Sequence, residues 1–349
     1  MEKALYLIDK LYAERHLELE EYESLLSSYS PQVAQYAADK ANQVRKNIYG
    51  NQIFVRGLIE ISNICKNNCL YCGIRKANKE CDRYRLTKEE ILCCCKEGYE
   101  LGIRTFVLQG GEDGYFHDKM LCSIVAEIKT QFPDCAVTLS MGERSRESYE
   151  ALYKAGADRY LLRHETADKN HYDMLHPAEM SFSNRMRCLQ DLKEIGYQTG
   201  CGFMVGSPYQ TLKTLAKDFQ FMGNFQPQMC GIGPFIPHKA TEFRGETAGS
   251  VDFTCYLLSL IRLLCPSILL PATTALGTLD SKGREKGILA GANVVMPNLS
   301  PKAVRKKYEL YNDKLSDGEE AVQGIESLKK RIKAISYEIV TDRGDWIRN

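Results

Sequence analysis

The sequence carries almost no net charge: 46 lysines and arginines against 45 aspartates and glutamates leave a formal +1 over 349 residues. A chain so balanced gives no electrostatic case for binding nucleic acid or an anionic membrane surface. It also has no apolar run that would span a bilayer. The most apolar stretch, residues 256–275, is interrupted by Arg262, Pro266 and Pro271. Met1-Glu2-Lys3-Ala4-Leu5 shows none of the apolar core of a secretion signal. No low-complexity tract or linker breaks the chain, and no cysteine follows Cys265. Fourteen cysteines are many for a globular protein but far too sparse for a disulfide scaffold. Several, such as Cys93-Cys94-Cys95 and Cys188, sit inside helical patterns. That usage suits a reducing, anaerobic cytoplasm, so a soluble cytoplasmic protein is expected.

What is present is an alternation. After residues 2–48, which read as two or three charged amphipathic helices, short apolar runs alternate with helical stretches. The expected strands are 54–62, 104–109, 135–140, 158–163, 199–205, 228–233, 268–272 and 292–296. The expected helices fall at about 87–101, 118–131, 145–155, 181–195, 210–223, 251–264, 281–290 and 301–312. Thr87-x-x-Glu90 is a capping box, and Gly102, Gly156, Gly196 and Gly291 each stand where a left-handed cap would turn a helix back into a strand. Eight strands alternating with helices predict an α/β fold, a complete (β/α)8 TIM-like barrel. The expected division is an N-terminal helical segment (1–50), the barrel (51–312) and a charged C-terminal helical extension (313–349), read as a solvated helix face.

In such barrels chemistry collects on the loops after the strands. The first of these loops carries Cys65, Cys69 and Cys72 in a C-x3-C-x2-C spacing, with Tyr71 before the last thiol. Structural zinc and ordinary ferredoxin sites take four ligands, so three thiols either belong to a larger zinc site, are unrelated core cysteines, or leave one iron of a cubane open. Cys93, Cys94 and Cys95 turn by about 100° per residue on a helix and cannot share one metal. Gln109-Gly110-Gly111-Glu112 follows the second strand: the glycines admit a close ligand and the acid suits an ammonium group. Ser140 and Glu143 end the third strand, and Arg163, His164 and Glu165 the fourth. An acid there suits a ribose, and Arg163 or Arg185 a carboxylate. Surface ion pairs or helix caps remain alternatives, and His164 reads as structural. Met204 closes strand five, residues 231–238 follow strand six, and Thr273 and Thr274 follow strand seven in a small, polar run. Met296 ends strand eight. Tyr308 and Tyr311, three apart on the expected helix 301–312, would share a face. These last groups either line a chamber or pack the barrel end.

The cysteine spacing resembles the motif of the radical S-adenosylmethionine (SAM) superfamily, in which the open iron of a 4Fe–4S cluster binds SAM and an electron releases a 5′-deoxyadenosyl radical. The likeness extends through GLIEISNICKNNCLYCG, VLQGGED, VTLSMGE, RYLLRHETA, GIGPFIPH, PATTALGT and GANVVMPN. Together these resemble the HydE family of FeFe-hydrogenase maturases, in the branch that includes biotin synthase and methylornithine synthase. The resemblance, over residues 50–312, implies that Cys65, Cys69 and Cys72 are the cluster ligands, that Ser140, Glu165 and Arg185 contact SAM, and that Tyr308 and Tyr311 face the cavity. It implies an iron carbonyl–cyanide complex bearing cysteine as substrate, and no auxiliary cluster, since Cys265 is the last cysteine. A low-potential donor of ferredoxin or flavodoxin type and other hydrogenase maturases are the implied partners. Biotin synthase would need further cysteines on barrel strands, and strand 104–109 has none. A methylornithine synthase-like mutase acting on an amino acid, or an iron–sulfur carrier without turnover, are the alternatives.

Overall fold

In the computed structural model, which describes residues 1–316 and 324–348, the alternation winds into a ring of parallel strands. Strand β1 comes in two pieces, Gln52–Val55 and Gly57–Ser62. It is followed by β2 (Thr105–Gly110), β3 (Ala136–Ser140), β4 (Arg159–Leu161), β5 (Gln198–Cys201) and β6 (Met229–Cys230). The seventh position is held only by single bridges at Leu269 and Pro271, and β8 is Val294–Val295. The pairings run once around: β1 to β2 through to β6, Met229 to Leu269, Pro271 to Val294, and Val294 back to Phe54. The barrel is thus the expected one, with its last strands shortened. The runs 199–205 and 228–233 break at the mouth into a separate pair, Met204–Val205 with Gly233–Pro234. Gly202 lets this happen: its φ is +155°, and a Cβ there would lie 2.1 Å from the Gly231 carbonyl oxygen.

Alternation along a strand sends successive side chains to opposite faces. Ile59 and Ile61 pack outward beneath the helices, fully buried. Arg56 points into the ring, where Nη1 reaches Met229 Sδ on β6 (3.0 Å). The helices Lys88–Glu100, Asp118–Gln131, Arg146–Lys154, Phe182–Ile195, Leu212–Phe225 and Val251–Leu264 form the outer layer. Thr87 and Glu90 make the expected reciprocal cap. Three N-terminal helices, Glu2–Glu14, Leu19–Ser27 and Pro31–Tyr49, join this layer, with Tyr22 stacked on Phe219. Among the described residues no helix is long and apolar enough to cross a membrane.

Three expectations need correction. Short helices at Lys169–Leu175 and Thr274–Leu279 were not anticipated. The expected helix 301–312 is only Lys302–Arg305. The C-terminal extension is more than a solvated helix. After Ile325–Ala334, the strand Glu338–Val340 pairs with the outer edge of β1, and the tail then plugs the N-terminal end of the ring. There Asp345 accepts from Arg159 (2.6 Å), Arg343 O accepts from Thr105 (2.7 Å), and Trp346 N–H donates to Gln198 (3.1 Å).

Candidate active site

The cysteine loop leaves β1 at the C-terminal mouth of the ring, and one side chain organises its backbone. Arg83 donates to four carbonyls of the loop: Asn63 (2.5 Å), Ile74 (2.8 Å), Arg75 (2.6 Å) and Asn78 (3.0 Å). Asn63 fixes the loop's root, donating to Asp82 O and Lys307 O and accepting from Tyr84 N. Arg83 was not singled out in the sequence, since nothing local distinguishes it from the neighbouring basic residues.

Gly111 sits directly against this loop. A Cβ there would stand 2.3 Å from Ile64 O and 2.8 Å from Cys65 Cβ. Backbone bonds from Gly111 N to Ser62 O (3.1 Å) and Lys66 N to Glu112 O (3.0 Å) clamp the two segments together. Glu112 lies over Gly142, whose φ is +72° and whose missing side chain makes the room. Its carboxylate accepts from Glu143 N (3.0 Å) and pairs with Lys66 (3.0 Å).

The three thiols are half-buried and close enough to act on one another. Burial pushes Cys65 up. Burial together with the neighbouring thiols pushes Cys69 well up and Cys72 to about 12. Met180 Sδ stands 3.6 Å from Cys69 Sγ, a contact no motif announced. Among the described residues no three His, Cys, Asp or Glu side chains converge as ligands of a single ion. A cubane asks for something wider, because each cysteine meets a different iron. Cys93 is exposed while Cys94 and Cys95 are buried, as helical geometry requires.

Around the thiols stand the groups expected at the mouth. Tyr71 packs against the apolar cluster of Leu175, Met204, Phe235 and Phe243. His176 Nδ1 donates to Tyr172 O (2.9 Å), which leaves Nε2 to accept from the Tyr71 hydroxyl (3.3 Å). Burial, aided by Arg185, lowers His176 to about 3, so the ring is neutral. Arg185 is buried, with Nε on Glu143 (2.6 Å) and Nη1 on Arg163 O (2.5 Å). Burial opposes its charge, but Tyr172 and Glu143 outweigh that and push Arg185 upward. Glu143 is therefore the residue that orients this guanidinium. Ser140 is paired in register with Gln109 across the β2–β3 ladder.

Arg163 and Glu165 form an ion pair at 3.4 Å, yet Arg163 Nε and Nη2 and Glu165 Oε2 are buried with no hydrogen-bond partner. Glu165 is also held at φ +64°, a left-handed conformation uncommon outside glycine. Buried polar atoms left without hydrogen bonds are costly, and Glu165 stands close enough to Cys72 for its charge to act on the thiol. His164 faces the other way: it takes Gly202 N–H on Nδ1 and donates from Nε2 to the buried Asp218 (3.2 Å), a structural role as expected.

The residues assigned to a substrate chamber are less uniform. Tyr308 is buried, and its hydroxyl takes a hydrogen bond from Gln109 (3.4 Å). Tyr311 lies in a bend rather than on a shared helix, so the expected common helix face of the two tyrosines does not exist. Thr273 Oγ1 is buried without a partner, 2.8 Å from where a Cβ on Gly233 would stand. Thr274 opens the helix Thr274–Leu279. Met296 packs deeper, with Met229, Leu269 and Val294. A cleft of about 720 Å³ lies at the opposite end of the ring, lined by Arg15, Val44, Gln228, Pro266 and Trp346, away from all of these groups.

The chain matches the Radical SAM superfamily over residues 59–222. It is 44% identical to the FeFe hydrogenase maturase subunit HydE of Thermotoga maritima over 87% of this chain and 86% of that protein. The chain belongs to the HydE family. It is also 28% identical to a 3-methylornithine synthase of Methanosarcina acetivorans, over 90% of this chain and 88% of that one. Among solved structures, methylornithine synthase (PylB) superposes with a TM-score of 0.83 at 26% identity, covering 96% and 97% of the two chains. A structure of HydG superposes at 0.80 with 21% identity over 96% and 75%, a likeness of fold. As a HydE-family member this is a radical SAM enzyme, and the family implies a 4Fe–4S cluster and SAM. The residues present fit both: soft thiol donors on a braced loop, and an arginine and a glutamate whose buried atoms lack hydrogen bonds.

Proposed function

We propose that this HydE-family chain cleaves SAM reductively and acts on an iron carbonyl–cyanide complex bearing cysteine, in the assembly of the di-iron centre of FeFe hydrogenase. The observation that carries the reading is the braced three-thiol loop, backed by Gly111, with Glu165 of the Arg163–Glu165 ion pair close to Cys72. Cys65, Cys69 and Cys72 would hold the cluster through three irons, with no auxiliary cluster elsewhere. When bound, the cluster supplies a low-potential electron and one open iron for SAM. The thiols are protonated in the free chain, so loading the site releases protons and is favoured by rising pH.

Gly110, Gly111 and Glu112 suit the amino group of SAM's methionine, Arg163 and Arg185 its carboxylate, and Ser140 and Glu165 its ribose. Tyr71 and Met204 offer an apolar wall for the adenine. Below them Gln109, Thr273, Met296 and Tyr308 would line the substrate chamber. The electron would come from a ferredoxin or flavodoxin type donor, and other hydrogenase maturases would take the product.

The superposition on methylornithine synthase supports a second reading, a mutase acting on an amino acid such as lysine. The test is 5′-deoxyadenosine formation by the reconstituted, reduced protein with SAM alone, with the iron complex and with lysine. Stimulation by the iron complex supports the maturase, and stimulation by lysine alone the mutase. No cleavage with an intact cluster would leave an iron–sulfur carrier.

A further inference from the structure

Tyr172 lies on the short helix Lys169–Leu175 and is wholly buried. A buried phenol normally finds an acceptor, and other buried tyrosines here follow that rule. Tyr49 donates to Ser267 O, Tyr84 to Glu60 O, Tyr160 to Gly142 O, Tyr197 to Tyr149 O and Tyr256 to Leu25 O. Among the described residues Tyr172 is the one tyrosine whose buried hydroxyl has no partner. The ring is also fixed. It stacks on His176 at 3.9 Å and meets Phe182 edge-on at 5.6 Å. His176 is held in turn between Tyr172 O and the Tyr71 hydroxyl. Leu70 N donates to Leu175 O (3.0 Å), which ties this helix to the cysteine loop. Arg185 stands over the Tyr172 ring, 5.8 Å from its centre. Its Nε and Nη1 are committed to Glu143 and to Arg163 O, which leaves Nη2. Burial raises the Tyr172 hydroxyl and keeps it protonated, and the ionisable groups that bear on it are Arg185, Glu143, Cys69 and Glu165. Glu143 does not take its proton, because that carboxylate accepts from Arg185 and Asn184 instead. A fixed, unused donor among these groups calls for an acceptor that arrives with a ligand.

We propose that the Tyr172 hydroxyl donates to the methionine carboxylate of bound SAM, beside Arg185. A carboxylate offers about four acceptor positions, more than one guanidinium fills, and a hydroxyl adds a donor without adding charge. In the SAM-free protein the desolvated hydroxyl is a destabilising group. It is satisfied only when SAM is in place, so it favours the loaded state over the empty one. The inference rests on the reading of this mouth as the SAM site. It adds a binding residue that stands on a helix and not at a strand end.

Tyr172→Phe removes the hydroxyl and keeps the ring on His176. In the cluster-loaded protein without SAM, iron per chain should stay at the wild-type value. The melting temperature should equal or exceed wild type, because nothing in the SAM-free protein uses the hydroxyl. Affinity for SAM, measured by equilibrium dialysis, should fall about 10- to 100-fold, the effect of losing a hydrogen bond to a charged group. Decarboxylated SAM, competing against labelled SAM, should bind the two proteins alike. A lower melting temperature or lost iron in the variant would make the hydroxyl a structural group and overturn the inference. An unchanged affinity for SAM would overturn it too, as would an equal loss of affinity for decarboxylated SAM, which would put the hydroxyl on another part of the molecule. A wild-type holoprotein that does not bind SAM would instead strike the radical SAM reading itself.

Discussion

Gly111→Ala adds one methyl group where the structure has no room for it. The new Cβ would stand 2.3 Å from Ile64 O and 2.8 Å from Cys65 Cβ, and the first obstacle is backbone that cannot swing aside. Ordinary contact requires the two segments to part by about 1 Å. That movement strains the bonds from Gly111 N to Ser62 O and from Lys66 N to Glu112 O, and it displaces Cys65 relative to Cys69 and Cys72. Overpacking of this kind costs about 1–3 kcal/mol, equivalent to roughly a 5- to 150-fold loss in affinity for whatever requires the undistorted loop. Its neighbours supply a graded control. At Gly110 a Cβ would meet the flexible end of Met141 at 3.2 Å, and at Gly114 it would meet nothing within 4 Å. Iron and sulfide retained per chain after reconstitution, measured against a competing chelator, should therefore fall in the order Gly114→Ala, Gly110→Ala, Gly111→Ala. If Gly111→Ala held its iron as tightly as Gly114→Ala, the close approach would not be what places Cys65.

Three further outcomes follow from the same geometry. Cys69→Ala should lose cluster-dependent SAM cleavage while circular dichroism reports a folded barrel; 5′-deoxyadenosine at the wild-type rate would remove the thiol from the site. Arg185→Ala should weaken SAM binding about tenfold or more with the iron content unchanged, and a titration giving the wild-type affinity would take Arg185 out of the SAM site. The third concerns the tail plug. Burial by itself would raise the Asp345 carboxyl, but the Arg159 guanidinium overcomes it and holds the group at about 2, below its ordinary 3.8. The stabilisation is therefore complete above about pH 4 and is lost as pH falls toward 2. With the carboxylate 41% exposed, solvent screening leaves about 1 kcal/mol of it. Asp345→Asn should lower the melting temperature at pH 7 and flatten its fall between pH 4 and 2; an unchanged acid limb would deny the pair any role.

The parts of the site that could be read from the sequence are those whose cause is local. A three-thiol loop after an apolar run, adjacent glycines after the next strand, and an acid at a strand end each sit within a few residues of the strand that presents them. Their order around the ring follows from the α/β alternation alone. The glycines at 102, 156, 196 and 291 do adopt positive φ at the helix-to-strand turns, because that need is written in a single residue. What stayed hidden depends on partners far along the chain. Arg83 is one basic residue among several until the fold brings four loop carbonyls to it. The buried ion pair of Glu60 and Lys314 joins residues 254 positions apart.

The misread helix shows the same physics from the other side. Residues 301–312 have helical periodicity, and Pro301 stands just before the first turn, yet the helix stops after Arg305. A helix needs its carbonyls for its own amides four residues on. Here Lys307 O, which a helix through 312 would give to the amide of Tyr311, accepts instead from Asn63 Nδ2, and Leu310 O accepts from Gly73 N of the cysteine loop. Gly73 allows that approach, since a Cβ there would lie 2.2 Å from Glu309 O. The bonds that unwind the helix thus tie the post-barrel segment to the loop of Cys65, Cys69 and Cys72, and the same segment carries Tyr308 and Lys314 into the ring. A periodic pattern cannot disclose this, because the helix is given up to a distant partner and not to any weakness of its own sequence. The thiols and the interior therefore share one wall, and a change in the register of residues 306–314 would be felt at both.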